Sequence, residues 1–270
     1  MRPPLVIAHR GSSGELPEHT LAAYERAIEQ GADGIECDVR LSADGELVCL
    51  HDRTLDRTGG GPGVVSTMTL AQLRDIDWGA WRHRAAAGTD PAAPRTPRTP
   101  GDDRLVTLRE LVELTLDAGR PMGLAIETKH PTRSGGRVEH AVAELLRGYG
   151  LTHRAAPGRP WARAMSFSAL AVRRMTGLLP SLPTVALVTT GSILLPLRGA
   201  LPGGAGTAGL DLGIVRHRPE VVRVQRAAGR EIFVWTVDEP DDLSLCCELE
   251  VDAIITNHPQ RALDVTRLSG

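Results

Sequence analysis

Short apolar runs alternate with amphipathic stretches along almost the whole chain. Leu5 to Ala8 is an apolar run that predicts a buried strand ending at His9-Arg10-Gly11. Thr20 stands where a helix cap belongs, ahead of Leu21, Tyr24 and Ile28 at helical spacing, and Gly31 closes that helix. In GADGIECDVR (Gly31 to Arg40), Ile35, Cys37 and Val39 alternate with Glu36, Asp38 and Arg40. A period of two predicts a strand over Gly34–Val39, so the chain opens with a βαβ unit. Asp44-Gly45 reads as a tight turn, and Glu46 to Leu50 as a strand that folds back antiparallel on its predecessor and delivers His51-Asp52.

The alternation resumes after about residue 106. Helices are predicted from Thr107 to about Ala118, over Val138–Tyr149, to about Thr176, over Pro219–Ala228, and from Asp238 onwards. Strands are predicted over Met122–Lys129, Arg163–Ser168, Thr184–Val188, 208–212, Glu231–Thr236 and Val251–Thr256. Strand and helix in turn over about 250 residues predict a TIM (β/α)8 barrel. The alternative, a doubly wound open sheet, lacks a GxGxxG turn opening a helix. The chain reads as one domain, 1–270, with an excursion over about 51–106. Within it, residues 84–104 are rich in Ala, Pro, Thr and Arg, cannot bury a core, and are expected to form a mobile surface insertion.

Composition narrows the function. At a formal net charge of −2, no basic excess exists to neutralise a nucleic-acid backbone. Cys37, Cys49, Cys246 and Cys247 fit no zinc spacing and read as reduced thiols, which suits a reducing compartment. The most apolar stretch, ILLPLRGALPG over 193–203, is too short for a membrane span and is broken by proline. The first candidate motif arrives by residue 9, leaving no room for a signal peptide, so a soluble cytoplasmic protein without stable membrane insertion is expected.

Active sites of barrels lie at the C-terminal ends of the strands. Those ends carry His9 and Arg10, Glu36 and Asp38, His51, Glu127 and Lys129, Ser166, Trp235 and Asn257. Glu36 and Asp38 share a strand face roughly 7 Å apart, where two carboxylates repel unless a cation joins them. Glu127 alternates onto the inner face of its strand in the same way. Three carboxylates suit one hard divalent cation, Mg2+ or Ca2+. Two histidines can supply acid and base, and Arg10 and Lys129 suit a phosphate. Taken singly, His9 is more often a core histidine, Glu127-Thr128-Lys129 a common surface pattern, and Trp235 more often packing than substrate wall. His19, His83, His130, His140, His153, His217 and His258 receive no role. Asp33 and Asp52 are either partners of the site or turn residues.

HRG at 9–11, PEHT at 17–20, GADGIECDVRLSADGELVCLHD at 31–52, IETK at 126–129 and VDAIITNHP at 251–259 together resemble the glycerophosphodiester phosphodiesterase family. The resemblance implies a TIM barrel with a small excursion after the second strand. It implies hydrolysis of glycerophosphodiesters to glycerol 3-phosphate and an alcohol, with a divalent metal. By position it implies His9 and His51 as the acid/base pair, Glu36, Asp38 and Glu127 as metal ligands, and Arg10 as a phosphate clamp. Lys129 matches the family's basic position after the glutamate, and Trp235 an aromatic near the glycerol end of the pocket. Two departures stand out: His19 where the family commonly has Asn, and Val106 where proline is frequent. A lysophospholipase D-like or phosphoinositide-type enzyme on the same barrel is the alternative. It would want an amphipathic docking helix, and none stands out. A binding module that lost its chemistry should lack a histidine or carboxylate, and all five are present. The nucleophile, water or the glycerol 2-hydroxyl, stays open.

Overall fold

A computed structural model describes residues 3–82, 103–132, 135–154, 156, 158–190 and 200–268. The first half gives β1 (Leu5–His9), α1 (Leu21–Glu29), β2 (Gly34–Leu41), β3 (Leu47–Cys49), α2 (Leu70–Arg74), α3 (Leu108–Leu116), β4 (Gly123–Thr128) and α4 (Arg137–Gly148). The second half gives β5 (Trp161–Ser166), α5 (Ala169–Leu178), β6 (Thr184–Val188), β7 (Thr207–Asp211), α6 (Leu212–His217), α7 (Glu220–Ala227), β8 (Glu231–Trp235), α8 (Pro240–Glu248), β9 (Ala253–Thr256) and α9 (Pro259–Leu268). Eight strands, all but β3, run parallel in one ring that closes where β1 pairs with both β2 and β9. This is the (β/α)8 barrel that the alternation of elements predicts.

Alternation in β2 decides which side chains enter the ring. Ile35, Cys37 and Val39 face outward and pack with Tyr24, Leu108 and Val142 under the helices. That leaves Glu36 and Asp38 facing inward. The lower interior is apolar, built from Ile7, Ala125, Met165, Val185, Phe233 and Ile255. Residue partners across the ladders then stack the acidic positions side by side, His9 opposite Glu36 and Asp38 opposite Glu127. β2 runs past the ring, and its last turn of the ladder pairs antiparallel with β3, Val39 with Cys49 and Leu41 with Leu47.

Several boundaries moved for identifiable reasons. β5 stops at Ser166 rather than Ser168, because the Ser168 hydroxyl caps α5 by accepting from Ala171 N. The helix expected from Asp238 starts at Pro240, since the Asp238 carboxylate is bonded instead to Thr256 and Asn257. α6 and α9 were not anticipated. The insertion 84–104 lies outside the described residues but for its last two. No helix among the described residues is long and apolar enough to cross a membrane.

The opposite end of the barrel is tied by charge. Arg163 donates to both oxygens of Glu231 at 2.6 and 3.1 Å, and Arg154 does so at 2.9 and 3.2 Å. Burial pushes the Glu231 carboxyl up, but the bonds from Arg163 and Arg154 outweigh it and hold its pKa at about 2, below the ordinary 4.5. A depressed carboxyl contributes stability that is full above its unfolded pKa and is lost as pH falls through its folded one. A Glu231→Gln variant is therefore expected to melt below the parent at pH 7, with the gap closing towards pH 2. Melting curves across that range check it, and a constant gap would show that charge is not the cause.

Candidate active site

The site is built on the C-terminal ends of β1, β2, β4 and β8 and on the segment just after β3. Its three carboxylates, Glu36, Asp38 and Glu127, are buried and each offers an oxygen within 4.8 Å of the others. Two cations lie among them. Lys129 Nζ is 2.8 Å from Glu127 and 3.3 Å from Asp38 Oδ1, and Arg10 Nε is 3.0 Å from Asp38 Oδ2. Arg10 also reaches Glu18 at 3.0 Å, and its backbone N–H donates to Glu36 at 3.2 Å.

Burial and mutual repulsion divide the protons unevenly. Burial, then the charge of Asp38, drives Glu36 well above the usual carboxylate range and Glu127 up to about 8. Asp38 feels burial too, but Arg10, the hydrogen bond from His19 and Lys129 outweigh it and hold its carboxyl well below the usual range. The cluster is one firm anion beside two carboxyls whose ionisation added positive charge would favour. Asp38 Oδ1 is buried without a hydrogen-bond partner. A hard, oxygen-seeking cation fits that donor set on both counts.

His9 closes β1 with Nε2 3.9 Å from Glu36. Its Nδ1 meets Asn257 Oδ1 at 2.7 Å. The Asn257 amide cannot turn round, because its Nδ2 donates to Asp238 at 2.7 Å. Nδ1 of His9 therefore carries the hydrogen and Nε2 is left for chemistry. Burial, then Arg10, brings the imidazole pKa down to about 4. His51 follows β3. Arg40 grips its carbonyl with two nitrogens at 2.7 and 3.0 Å, and Asp52 accepts from its Nδ1 at 2.8 Å. Here too Nε2 is the free nitrogen.

His9, Arg10, Glu36, His51, Glu127, Lys129 and Trp235 line one cavity of about 110 Å3. Every residue singled out for catalysis, metal or phosphate stands in it except Asp38, which the structure sets just beneath, bound to both cations. Phe167 completes the mouth. It is 45% exposed, meets Trp235 edge-on at 5.3 Å, and lies under Lys129 at 5.9 Å. Of the other strand-end residues, Ser166 turns away and donates to Thr128 O. Asp33 accepts from Val6 N in the wall, whereas Asp52 serves the site.

Three contributors escaped the sequence reading. His19, given no role, is buried with Nε2 2.9 Å from Asp38. Arg40 was read as one more polar position of its strand. Phe167 follows Ser166, inside the predicted strand, and carries no polar signal.

A family model described as the glycerophosphoryl diester phosphodiesterase family matches residues 9–261. The probable glycerophosphodiester phosphodiesterase 1 of Mycobacterium tuberculosis is 46% identical over 258 residues, covering 96% of this chain and 90% of that protein. A glycerophosphodiester phosphodiesterase of Caldanaerobacter subterraneus subsp. tengcongensis is 32% identical over 266 residues, covering 98% and 99%. Among solved structures, a glycerophosphodiester phosphodiesterase of Agrobacterium tumefaciens aligns with a TM-score of 0.72 at 27% identity, over 97% of this chain and 99% of that one. A phosphodiesterase of Oleispira antarctica, solved with its product sn-glycerol-3-phosphate, aligns with a TM-score of 0.75 at 25% identity, over 98% and 97%. The chain belongs to the glycerophosphoryl diester phosphodiesterase family.

Proposed function

We propose that the protein hydrolyses glycerophosphodiesters to glycerol 3-phosphate and an alcohol, with Glu36, Asp38 and Glu127 holding one divalent cation and His9 and His51 as the acid/base pair. The observation that carries this reading is the convergence of three buried carboxylates with two histidines whose Nε2 atoms are both free. When bound there, the cation supplies Lewis-acid stabilisation of charge on the phosphate.

The remaining work falls to side chains. The Arg10 guanidinium and the Lys129 ammonium offset the charge of the diester, which in water repels nucleophiles. Trp235 and Phe167 press apolar surface on the glycerol carbons and hold the phosphorus in line. One histidine takes a proton at Nε2 from the attacking oxygen and the other gives one from Nε2 to the departing alcohol oxygen; where the glycerol 2-hydroxyl attacks, water then opens the cyclic phosphate to glycerol 3-phosphate. The fixed tautomers matter here. Asn257 and Asp52 keep Nδ1 occupied, so neither ring can turn and spend its reactive nitrogen on the wall.

The test is release of glycerol 3-phosphate from glycerophosphocholine and glycerophosphoethanolamine, after chelation and with Mg2+ or Ca2+ restored. Release that stops on chelation and returns with metal is expected. Undiminished release from thoroughly chelated protein would overturn the metal assignment. Turnover of lysophospholipids alone, read as release of the head-group alcohol, would overturn the substrate assignment.

A further inference from the structure

His19 hydrogen-bonds a candidate ligand without belonging to the cavity. Its backbone has φ of 61°, the left-handed region, and so has Arg10 at 59°. The His19 N–H donates to the Arg10 carbonyl at 3.1 Å, which folds the loop between them and turns both side chains towards Asp38. The two are not equivalent there. Arg10 Nε lies 3.0 Å from Asp38 Oδ2 but is not aimed for a hydrogen bond, whereas His19 Nε2 hydrogen-bonds that oxygen at 2.9 Å. His19 Nδ1 in turn meets the Tyr24 hydroxyl at 2.7 Å, and both side chains are buried. An ionised carboxylate only accepts, so Nε2 carries the hydrogen, and the Tyr24 O–H then has Nδ1 as its acceptor.

We propose that the Tyr24–His19 pair positions Asp38, pinning Oδ2 so that Oδ1 is presented to the cation site. The inference rests on the reading of Glu36, Asp38 and Glu127 as ligands. Without the imidazole, ionic attraction to Arg10 and Lys129 would hold Asp38 near but leave its plane less fixed. An ion pair has little preference for orientation, whereas a hydrogen bond has a direction. Oδ1 is buried and lacks a hydrogen bond, and Lys129 Nζ faces it at 3.3 Å, so an ion pair is what an arriving cation would have to displace there. Partners of metal ligands that act this way usually cost about 10–100-fold in metal affinity when removed.

Two substitutions at this position separate positioning from simple packing. Glutamine places its amide nitrogen where Nε2 stands, so His19→Gln keeps the donor to Asp38. Asparagine is shorter and ends where Nδ1 stands, so His19→Asn keeps only the side towards Tyr24. Asparagine tolerates a left-handed backbone better than glutamine, so on stability alone the ranking runs the other way. Titration calorimetry of the chelated protein with Mn2+ and Ca2+, beside thermal melts, reads both rankings. His19→Asn is expected to bind about 10–100-fold more weakly while melting at or above His19→Gln. His19→Gln should lose less than about tenfold, and Tyr24→Phe a few-fold. Affinity that follows the melting order, or His19→Asn binding like the parent, would overturn the proposal and leave the ligand reading intact. A parent that binds neither cation would overturn both.

Discussion

A His51→Ala variant turns over glycerophosphodiesters about 10²–10⁴ times more slowly than the parent, with its melting temperature and metal affinity little changed. The expectation of a clean kinetic defect comes from how His51 is mounted. Its carbonyl, not its ring, is what Arg40 holds, so the backbone position survives loss of the side chain. The ring makes one hydrogen bond, to Asp52, and Asp52 keeps a second partner in Arg57. The side chain is 34% exposed, so little packing is lost. Steady-state kinetics with melting curves give the answer. An unchanged kcat in well-folded protein would remove His51 from the mechanism.

The second large effect separates two carboxylates that share a strand. Glu36→Gln and Asp38→Asn are both expected to cost more metal affinity than the roughly 10–100-fold that follows loss of an outer partner. Their effects on the metal-free fold should have opposite signs. Glu36 is the carboxyl that burial and Asp38 make unfavourable to ionise. A neutral amide of the same shape removes the cost of neutralising that carboxyl on folding and still accepts from the Arg10 N–H. Asp38 is the anion between Arg10 and Lys129, and it accepts from His19. Removing its charge leaves Arg10 with Glu18 alone and Lys129 with the reluctantly ionised Glu127, a change that costs on the order of 3 kcal/mol. Calorimetric metal titrations and melts of both chelated variants test this. Equal melting temperatures would mean that the two carboxylates carry the same charge.

Much of this was written in the alternation of β2. Ile35, Cys37 and Val39 on one side force Glu36 and Asp38 to the other, and a ring of parallel strands leaves them no direction but inward. His9 was placed by its position at the end of an apolar strand, and the logic of alternation carried Glu127. It could not carry His19, because a period of two or 3.6 assumes ordinary backbone, and His19 is turned inward by a left-handed residue in a loop. Nor could it separate Asp33 from Asp52. Both follow or precede strands, and only three-dimensional placement gives one to a wall amide and the other to His51. Phe167 was hidden for a simpler reason. An apolar residue after a strand signals core, yet here it stands in the mouth.

The small antiparallel strand beside β2 has a consequence for how such an enzyme can change. The chain leaves the ring beside Val106, where Cys49 N donates to its carbonyl at 2.9 Å, and comes back through bridges of Val48 with Thr107 and Thr20 with Leu105. Departure and return are thus stapled together within a few residues. Extra chain inserted between Arg82 and residue 103 would therefore not pull His51 out of register, because Val65, Leu73 and Trp78 are packed with Val48 and Leu50 on the near side of it. That makes this stretch a place where chain length can vary while the reacting centre inherits its geometry intact.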